Sequence, residues 1–140
     1  MRSTTRVPAR GREVTIALAI DLIAVCAFVL IGRRSHDENG TVSGFFGTAW
    51  PFLAALVVGW LLARVWLRPT EVWPTGVIVW LVTVIGGLGL RGVIGGGLAW
   101  TFLLVTAVVL ALFLLGWRAV AHWAARRHTK DVAQNSTTRR

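Results

Sequence analysis

Four apolar runs dominate the chain, at residues 14–32, 48–67, 74–94 and 97–117. Each run is long enough to cross the hydrocarbon core of a bilayer as a helix, which takes roughly 20 residues. The runs are continuously apolar, and an open sheet facing lipid would leave backbone groups unpaired, so strands are excluded. The pattern predicts an all-α, polytopic integral membrane protein built as a four-transmembrane-helix bundle.

The polar segments divide the chain further. Residues 1–12 and 129–140 are rich in Arg, Ser and Thr, which predicts a disordered basic tail at the N-terminus and a disordered tail at the C-terminus. Residues 13–119 form the predicted transmembrane domain. Residues 118–128 place His and Arg between apolar positions, which predicts a basic, amphipathic extension of the fourth helix along the membrane surface.

Composition and charge agree with a membrane location. Hydrophobic residues make up 55% of the chain and charged residues only 15%, whereas about a quarter of a typical soluble domain is charged. The net charge of +9 comes mostly from residues at the two ends, outside the apolar runs. This distribution favours a bilayer with anionic headgroups as the partner, and not nucleic acid. Partner membrane helices or a homo-oligomer are the protein partners that such a chain would have.

The basic residues also predict an orientation. With four spans, both termini and the loop between the second and third spans lie on one side. Of the 15 Lys and Arg residues, only Arg33, Arg34 and Arg91 fall on the other side. Because short loops rich in Lys and Arg remain in the cytoplasm, we expect both termini to be cytoplasmic, in the cytoplasmic membrane of a bacterium.

Asp21 is the most conspicuous single residue, because it lies inside the first apolar run, roughly 10 Å from the run's start at 1.5 Å per residue. An intramembrane carboxylate suggests a function by default. The residues expected near its depth are Trp60, Trp80 and Thr83, with Arg64 reaching in from closer to the surface. These five form a candidate polar cluster. Either Asp21 relays protons or cations or binds a substrate, or Arg64, Thr83 or an indole N–H holds it as a link between helices.

A second polar group follows the first run, in the stretch "RRSHDE" at residues 33–38. Consecutive ligands diverge and no second histidine lies on this side, so no metal site is expected. Adjacent Ser, His and Asp also lack the geometry of a catalytic triad. The stretch is either a polar cap with an ion-pair network or a gate for lipid headgroups or solutes. The candidate network comprises Arg33, Arg34, His36, Asp37, Glu38 and Arg91.

Small residues mark two further places. The glycine-rich stretch "GGLGLRGVIGGG", residues 86–97, is not followed by the Lys-Ser/Thr pair of a nucleotide-binding loop. Gly92 and Gly96 have the spacing of a close-packing motif in membrane helices, and the same run can form the turn between the third and fourth spans. In the second run, Ala55, Gly59 and Ala63 form a small-residue stripe that should meet another helix.

Several short segments resemble a known family: "IGRRSHDE", "TAWPF", "GWLLAR", "WPTGVIVWL" and "LLGWRA". They are similar to segments of a family of small bacterial membrane proteins, mainly actinobacterial, catalogued as domain of unknown function 3054. The resemblance extends over residues 17–119. It implies a four-span integral membrane protein, and it brings no activity, cofactor, metal or catalytic residue.

Two functions remain open from the sequence. The first is a structural or accessory membrane protein that binds partner helices through its Ala and Gly faces. The second is a small transporter or channel, either as a single chain or as a homodimer, that uses Asp21 as a coupling carboxylate. A membrane enzyme is disfavoured, because the chain lacks a convergent set of acid, base and metal-ligand residues.

Overall fold

The computed structural model of the chain describes residues 8–34 and 41–137, with side chains for 11–34 and 41–127. These residues form four long helices and no strand: α1 (Pro8–Arg34), α2 (Val42–Ala63), α3 (Val77–Val93) and α4 (Trp100–Thr137). Four helical stretches in them are long and apolar enough to cross a membrane, at Gly11–Arg34, Val42–Ala63, Val72–Val93 and Trp100–Arg127. The prediction of an all-helical, four-span membrane protein is confirmed.

The helix ends differ from the ends of the apolar runs. α1 begins at Pro8, inside the predicted N-terminal tail, and proline suits the first turn of a helix. α4 continues to Thr137, into the predicted C-terminal tail, because no Gly or Pro interrupts the chain after Gly116. α2 spans 42–63 where the run spans 48–67. It begins early because Thr41 caps it, accepting a hydrogen bond from the Gly44 N–H at 3.3 Å.

A compact connection joins α2 to α3. α2 ends where Arg64 adopts a left-handed conformation, with φ 48°. A 3₁₀ turn, Val65–Leu67, and a π-helical turn, Val72–Gly76, then lead into α3. Between them the Glu71 carboxylate accepts hydrogen bonds from Thr75 Oγ1 and from Arg68, both at 2.9 Å. The Thr75 hydroxyl, together with Arg68, lowers the pKa of Glu71 below its ordinary value of 4.5, so the carboxylate is ionised at neutral pH and holds the turn.

The closest helix contact is between α2 and α3. A Cβ at Gly59 would lie 3.3 Å from both Cα and the carbonyl oxygen of Val79, and a Cβ at Gly86 would lie 3.0 Å from that of Ala55. Small residues let two helix backbones approach in this way. The stripe of Ala55 and Gly59 is therefore used inside the bundle, against α3.

The last glycines of the glycine-rich run, Gly95 and Gly96, form a turn after α3. α3 ends at Val93, and Gly95 has a φ of +82°, which favours glycine. The Gly96 N–H donates to the carbonyl of Arg91 at 2.9 Å and closes the turn. This turn brings α4 back beside α3.

Candidate functional site

Asp21 lies on the inward face of α1. The buried residues in the described part of this helix share one face and recur about every helical turn; they are Ala17, Asp21, Ala24, Val25, Phe28 and Val29. The Asp21 side chain is completely buried, with 0% of its surface exposed. A buried charge needs a partner and hydrogen bonds to offset the loss of solvation.

Arg118 of α4 supplies the opposite charge. Its Nη1 donates to Asp21 Oδ1 at 2.8 Å and its Nη2 donates to Oδ2 at 2.6 Å, a two-pronged pair in which both residues are fully buried. This paired arrangement matches the planar fork of a guanidinium to the two oxygens of a carboxylate. The pair is neutral as a whole, which makes it tolerable below the membrane surface.

Two indoles complete the carboxylate's coordination. Trp60 Nε1, from α2, donates to Asp21 Oδ2 at 2.8 Å. Trp117 Nε1, from α4, donates to Oδ1 at 2.8 Å. Each carboxylate oxygen thus accepts one guanidinium N–H and one indole N–H. We call Asp21, Trp60, Trp117 and Arg118 the Asp21 cluster; it ties α1 to both α2 and α4.

The protein also holds Arg118 from its other sides. Arg118 Nη1 donates to the carbonyl of Leu114 at 2.8 Å, and the guanidinium carbon lies 4.6 Å from the centre of the Trp117 ring. Gly76, in the turn before α3, leaves room for the side chain, because a Cβ there would lie 2.9 Å from Arg118 Cδ. The hydrogen bond to Leu114, the contact with the Trp117 ring and the space beside Gly76 together hold the guanidinium next to Asp21.

The other members of the predicted intramembrane cluster lie elsewhere. Arg64 is exposed and ends α2, and the cation beside Asp21 is Arg118 instead. Thr83 Oγ1 donates to the carbonyl of Val79 in its own helix at 2.7 Å. Trp80 Nε1 donates to the carbonyl of Ala107 at 3.0 Å and so links α3 to α4. Of the predicted partners, the structure brings only Trp60 to Asp21.

Sequence reasoning missed Arg118 because this residue follows the end of the fourth apolar run. The end of that run places Arg118 at the membrane surface, about 10 Å from the expected depth of Asp21. The helices do not end with the runs, however, so Trp117 and Arg118 remain inside a continuous helix that packs on α1. The sequence feature that points to this site is the adjacent pair Trp117 and Arg118 at the end of an apolar span. Both residues have long side chains that donate hydrogen bonds through N–H groups.

The second predicted group lies at the opposite end of the bundle from the Asp21 cluster, and the described residues show part of it. Arg33 is half-buried and its Nη1 donates to Thr48 Oγ1 at 3.3 Å, while Arg34 is exposed. The guanidinium carbon of Arg91 lies 4.8 Å from the centre of the Phe102 ring. His36, Asp37 and Glu38 lie outside the described residues, so their pairing with these arginines stays a prediction.

Comparison with known proteins adds a family. Residues 18–121 match the family model described as "Protein of unknown function (DUF3054)". The chain belongs to this family. The match confirms the family expected from the sequence, and the DUF3054 region contains the whole Asp21 cluster as well as Arg33 and Arg91. No curated protein and no solved structure matches the chain. Membership of DUF3054 therefore assigns no activity, and a function has to be argued from the geometry.

Among the described residues, no group of three His, Cys, Asp or Glu side chains is placed to hold a metal ion.

Proposed function

We propose that this DUF3054 protein is a structural or accessory protein of the bacterial cytoplasmic membrane, in which Asp21 fastens helices together and does not carry ions. The observation behind the proposal is the saturation of the Asp21 carboxylate. It is completely buried and accepts four N–H donors, two from Arg118 and one from each indole. A group held in this way suits a fixed link between helices.

A transport role would need different properties at Asp21. A coupling carboxylate gains and loses a proton or cation, and a path from water has to reach it. Asp21 has no exposed surface, and a cavity of about 220 Å³ among the described residues is lined by none of the four residues of the Asp21 cluster. The burial of Asp21 supports the structural role over the transporter.

The exposed apolar residues indicate how such a protein would meet its surroundings. The small-residue stripe of α2 is used against α3, so partner helices would meet other faces. All four helices carry large exposed apolar side chains, including Ile23 at 66%, Leu61 at 59%, Ile85 at 68% and Leu112 at 66%. We propose that lipid and any partner helix contact these outward faces.

The first prediction separates the structural role from transport. In proteoliposomes under a proton or cation gradient, we expect the parent protein and Asp21→Asn to give the same flux as protein-free vesicles. We also expect Asp21→Asn to unfold at a lower temperature than the parent, because Asn cannot neutralise the buried Arg118. Glu13→Gln, which changes an exposed carboxylate on the same helix, is the matched control and should leave stability unchanged.

Flux by the parent that disappears in Asp21→Asn, at an unchanged unfolding temperature, would refute the structural role and establish the coupling carboxylate. Flux above that of protein-free vesicles, and equal in the parent and in Asp21→Asn, would place a transport path elsewhere in the chain and would also refute the proposal. Only the combination of no flux and lost stability supports it.

We propose further that both termini are cytoplasmic, since twelve of the 15 Lys and Arg residues belong to that side. The prediction is tested in a Cys26→Ala chain that carries either Arg34→Cys or Ala124→Cys, both exposed positions. In intact spheroplasts, a thiol reagent that cannot cross the membrane should label the chain at position 34 and not at position 124. Labelling at position 124 and not at position 34 would show that the termini lie on the outer side of the membrane.

A further inference from the structure

The Asp21 cluster fixes the level at which α1 and α4 meet the membrane surface. The two helices run antiparallel, and the buried pair of Asp21 and Arg118 holds them at one depth. Seven residues without Asp, Glu, Lys or Arg separate Asp21 from Glu13 on α1, and seven such residues separate Arg118 from Arg126 on α4. At 1.5 Å per residue, both charged ends lie about 12 Å from the pair along their helices.

The two turns of α4 that follow the Asp21 cluster, residues 119–125, have the composition of a segment inside a membrane. Val120 and Trp123 are exposed, at 65% and 55%, and the other five residues are four alanines and one histidine. The stretch of α4 that is long and apolar enough to cross a membrane continues to Arg127. A helix that continues from the depth of the cluster thus reaches the headgroups at Arg126 and Arg127, and the Trp123 indole lies just beneath them, at the level that indoles prefer.

The side chains of Arg126 and Arg127 are exposed and lean back towards the bilayer. Arg126 Nε donates to His122 Nε2 at 3.1 Å, and the guanidinium carbon of Arg127 lies 3.3 Å from the centre of the Trp123 ring. His122 and Trp123 each lie one turn earlier in α4, on the side of the Asp21 cluster, as expected for side chains that point towards the start of their helix. Both guanidiniums therefore lie against the last turn before the membrane surface.

The end of the bundle that carries the termini is positively charged. Outside the Asp21 cluster, its described side chains include five exposed arginines and two glutamates, which are Arg12, Arg64, Arg68, Arg126 and Arg127, and Glu13 and Glu71. Glu71 is engaged within its own turn by Arg68 and Thr75. None of the described side chains of α4 is acidic, so the two arginines at its end form a small cationic patch next to an exposed indole.

We propose that Arg126 and Arg127 bind the phosphate of an anionic phospholipid in the leaflet on the side of the termini, and so anchor the end of α4. Anionic lipids attract basic residues beside a membrane span, and the planar fork of a guanidinium matches phosphate oxygens. A soluble acidic protein fits less well, because both guanidiniums lean towards the bilayer. The proposal places residues 119–125 inside the membrane, where the sequence suggested a helix along its surface. It uses the position of the Asp21 cluster and does not depend on the role proposed for Asp21.

The first test measures lipid retention by the full-length protein in a neutral detergent. Native mass spectrometry during titration with phosphatidylglycerol or phosphatidylcholine gives the apparent affinity for each lipid. We expect tighter binding of phosphatidylglycerol, and a loss of about tenfold or more in the double variant Arg126→Gln with Arg127→Gln, because two charge-assisted contacts are removed. The matched control is Arg34→Gln with Arg64→Gln, which removes the same charge from other exposed positions and should lower the affinity less than about threefold.

The second test measures the depth of α4 in a bilayer. In Cys26→Ala chains, nitroxide labels at Val120→Cys and at Ala133→Cys are compared for their collisions with oxygen, which concentrates in the hydrocarbon, and with a water-soluble nickel chelate. We expect the label at position 120 to meet oxygen. The label at position 133 should meet nickel, because α4 continues to Thr137 and position 133 lies about 10 Å beyond Arg126 along the helix.

Several outcomes would overturn the proposal. Equal affinity for the two lipids, or an equal loss in the two double variants, would leave only diffuse attraction between charges. Displacement of phosphatidylglycerol by inorganic phosphate, and not by chloride at the same ionic strength, would assign the two arginines to a free anion. A label at position 120 that meets nickel would show that α4 leaves the bilayer directly after Arg118, so that the arginines face water, as they would for an acidic protein partner.

Discussion

Replacing Arg118 by methionine should lower the free energy of unfolding by about 3–5 kcal/mol, the largest effect that we expect from any single substitution in the chain. The reason is the charge left behind. Asp21 is completely buried, and without Arg118 its carboxylate would keep only the indole N–H donors of Trp60 and Trp117. The measurement is reversible unfolding in detergent micelles or bicelles, followed by tryptophan fluorescence.

Two further variants make this prediction specific. Adding Asp21→Asn to Arg118→Met should restore part of the lost stability, because the double variant has no unpaired charge in the interior. Arg64→Met is the matched control, since Arg64 is the exposed arginine that the sequence suggested as the partner of Asp21. We expect it to change the unfolding free energy by less than about 0.5 kcal/mol. A cost for Arg64→Met equal to that of Arg118→Met, or a double variant less stable than Arg118→Met alone, would contradict the cluster as described.

Replacing Gly87 by alanine should destabilise the bundle by about 1–3 kcal/mol, the second largest effect expected. A Cβ at Gly87 would overlap the ring of Phe52. The ring has little freedom to move away, because Phe52 is completely buried and packs edge-on against Phe28 with their ring centres 5.3 Å apart. Relief would therefore require α2 and α3 to separate, which loosens the closest contact in the bundle.

Gly89 of the same helix provides the matched control for this prediction. A Cβ at Gly89 meets nothing within 4 Å, and the residue is exposed. Gly89→Ala should therefore be neutral or stabilising by up to about 1 kcal/mol, as expected for alanine at an open helical position. Phe52→Leu should recover part of the stability lost in Gly87→Ala, since the smaller side chain makes room for the methyl group. Equal effects of Gly87→Ala and Gly89→Ala would show that α2 and α3 do not pack as described.

The glycine-rich run at residues 86–97 shows what glycine spacing can and cannot predict. The sequence left two interpretations for Gly92 and Gly96, helix packing or a turn, because both need residues without a side chain. The structure uses Gly86 and Gly87 for packing against α2 and uses Gly95 and Gly96 for the turn. Spacing alone could not divide the run in this way, since the division depends on where α3 ends and on which residues of α2 lie opposite.

The sequence alone is enough to establish that this protein has four membrane-spanning helices. The reason is general: about 20 consecutive apolar residues have one stable backbone arrangement in lipid, because every N–H and C=O must find its partner within the helix. It also identified Asp21 as the residue to explain, since a carboxylate at that depth is costly wherever it lies.

The residues that meet Asp21 depend on how the helices pack, which the sequence does not show. Hydropathy reports the depth of a residue along its own helix, and it carries no information on how one helix is rotated or shifted against another. Arg64 and Arg118 therefore looked alike from the sequence, as two basic residues near the ends of apolar runs. The packing of α1 against α4 buries Arg118 beside Asp21, while Arg64, at the end of α2, remains exposed. The free energy of unfolding is therefore expected to fall by several kcal/mol more in Arg118→Met than in Arg64→Met. This difference depends on helix rotation and register, which are set by contacts between residues distant in sequence.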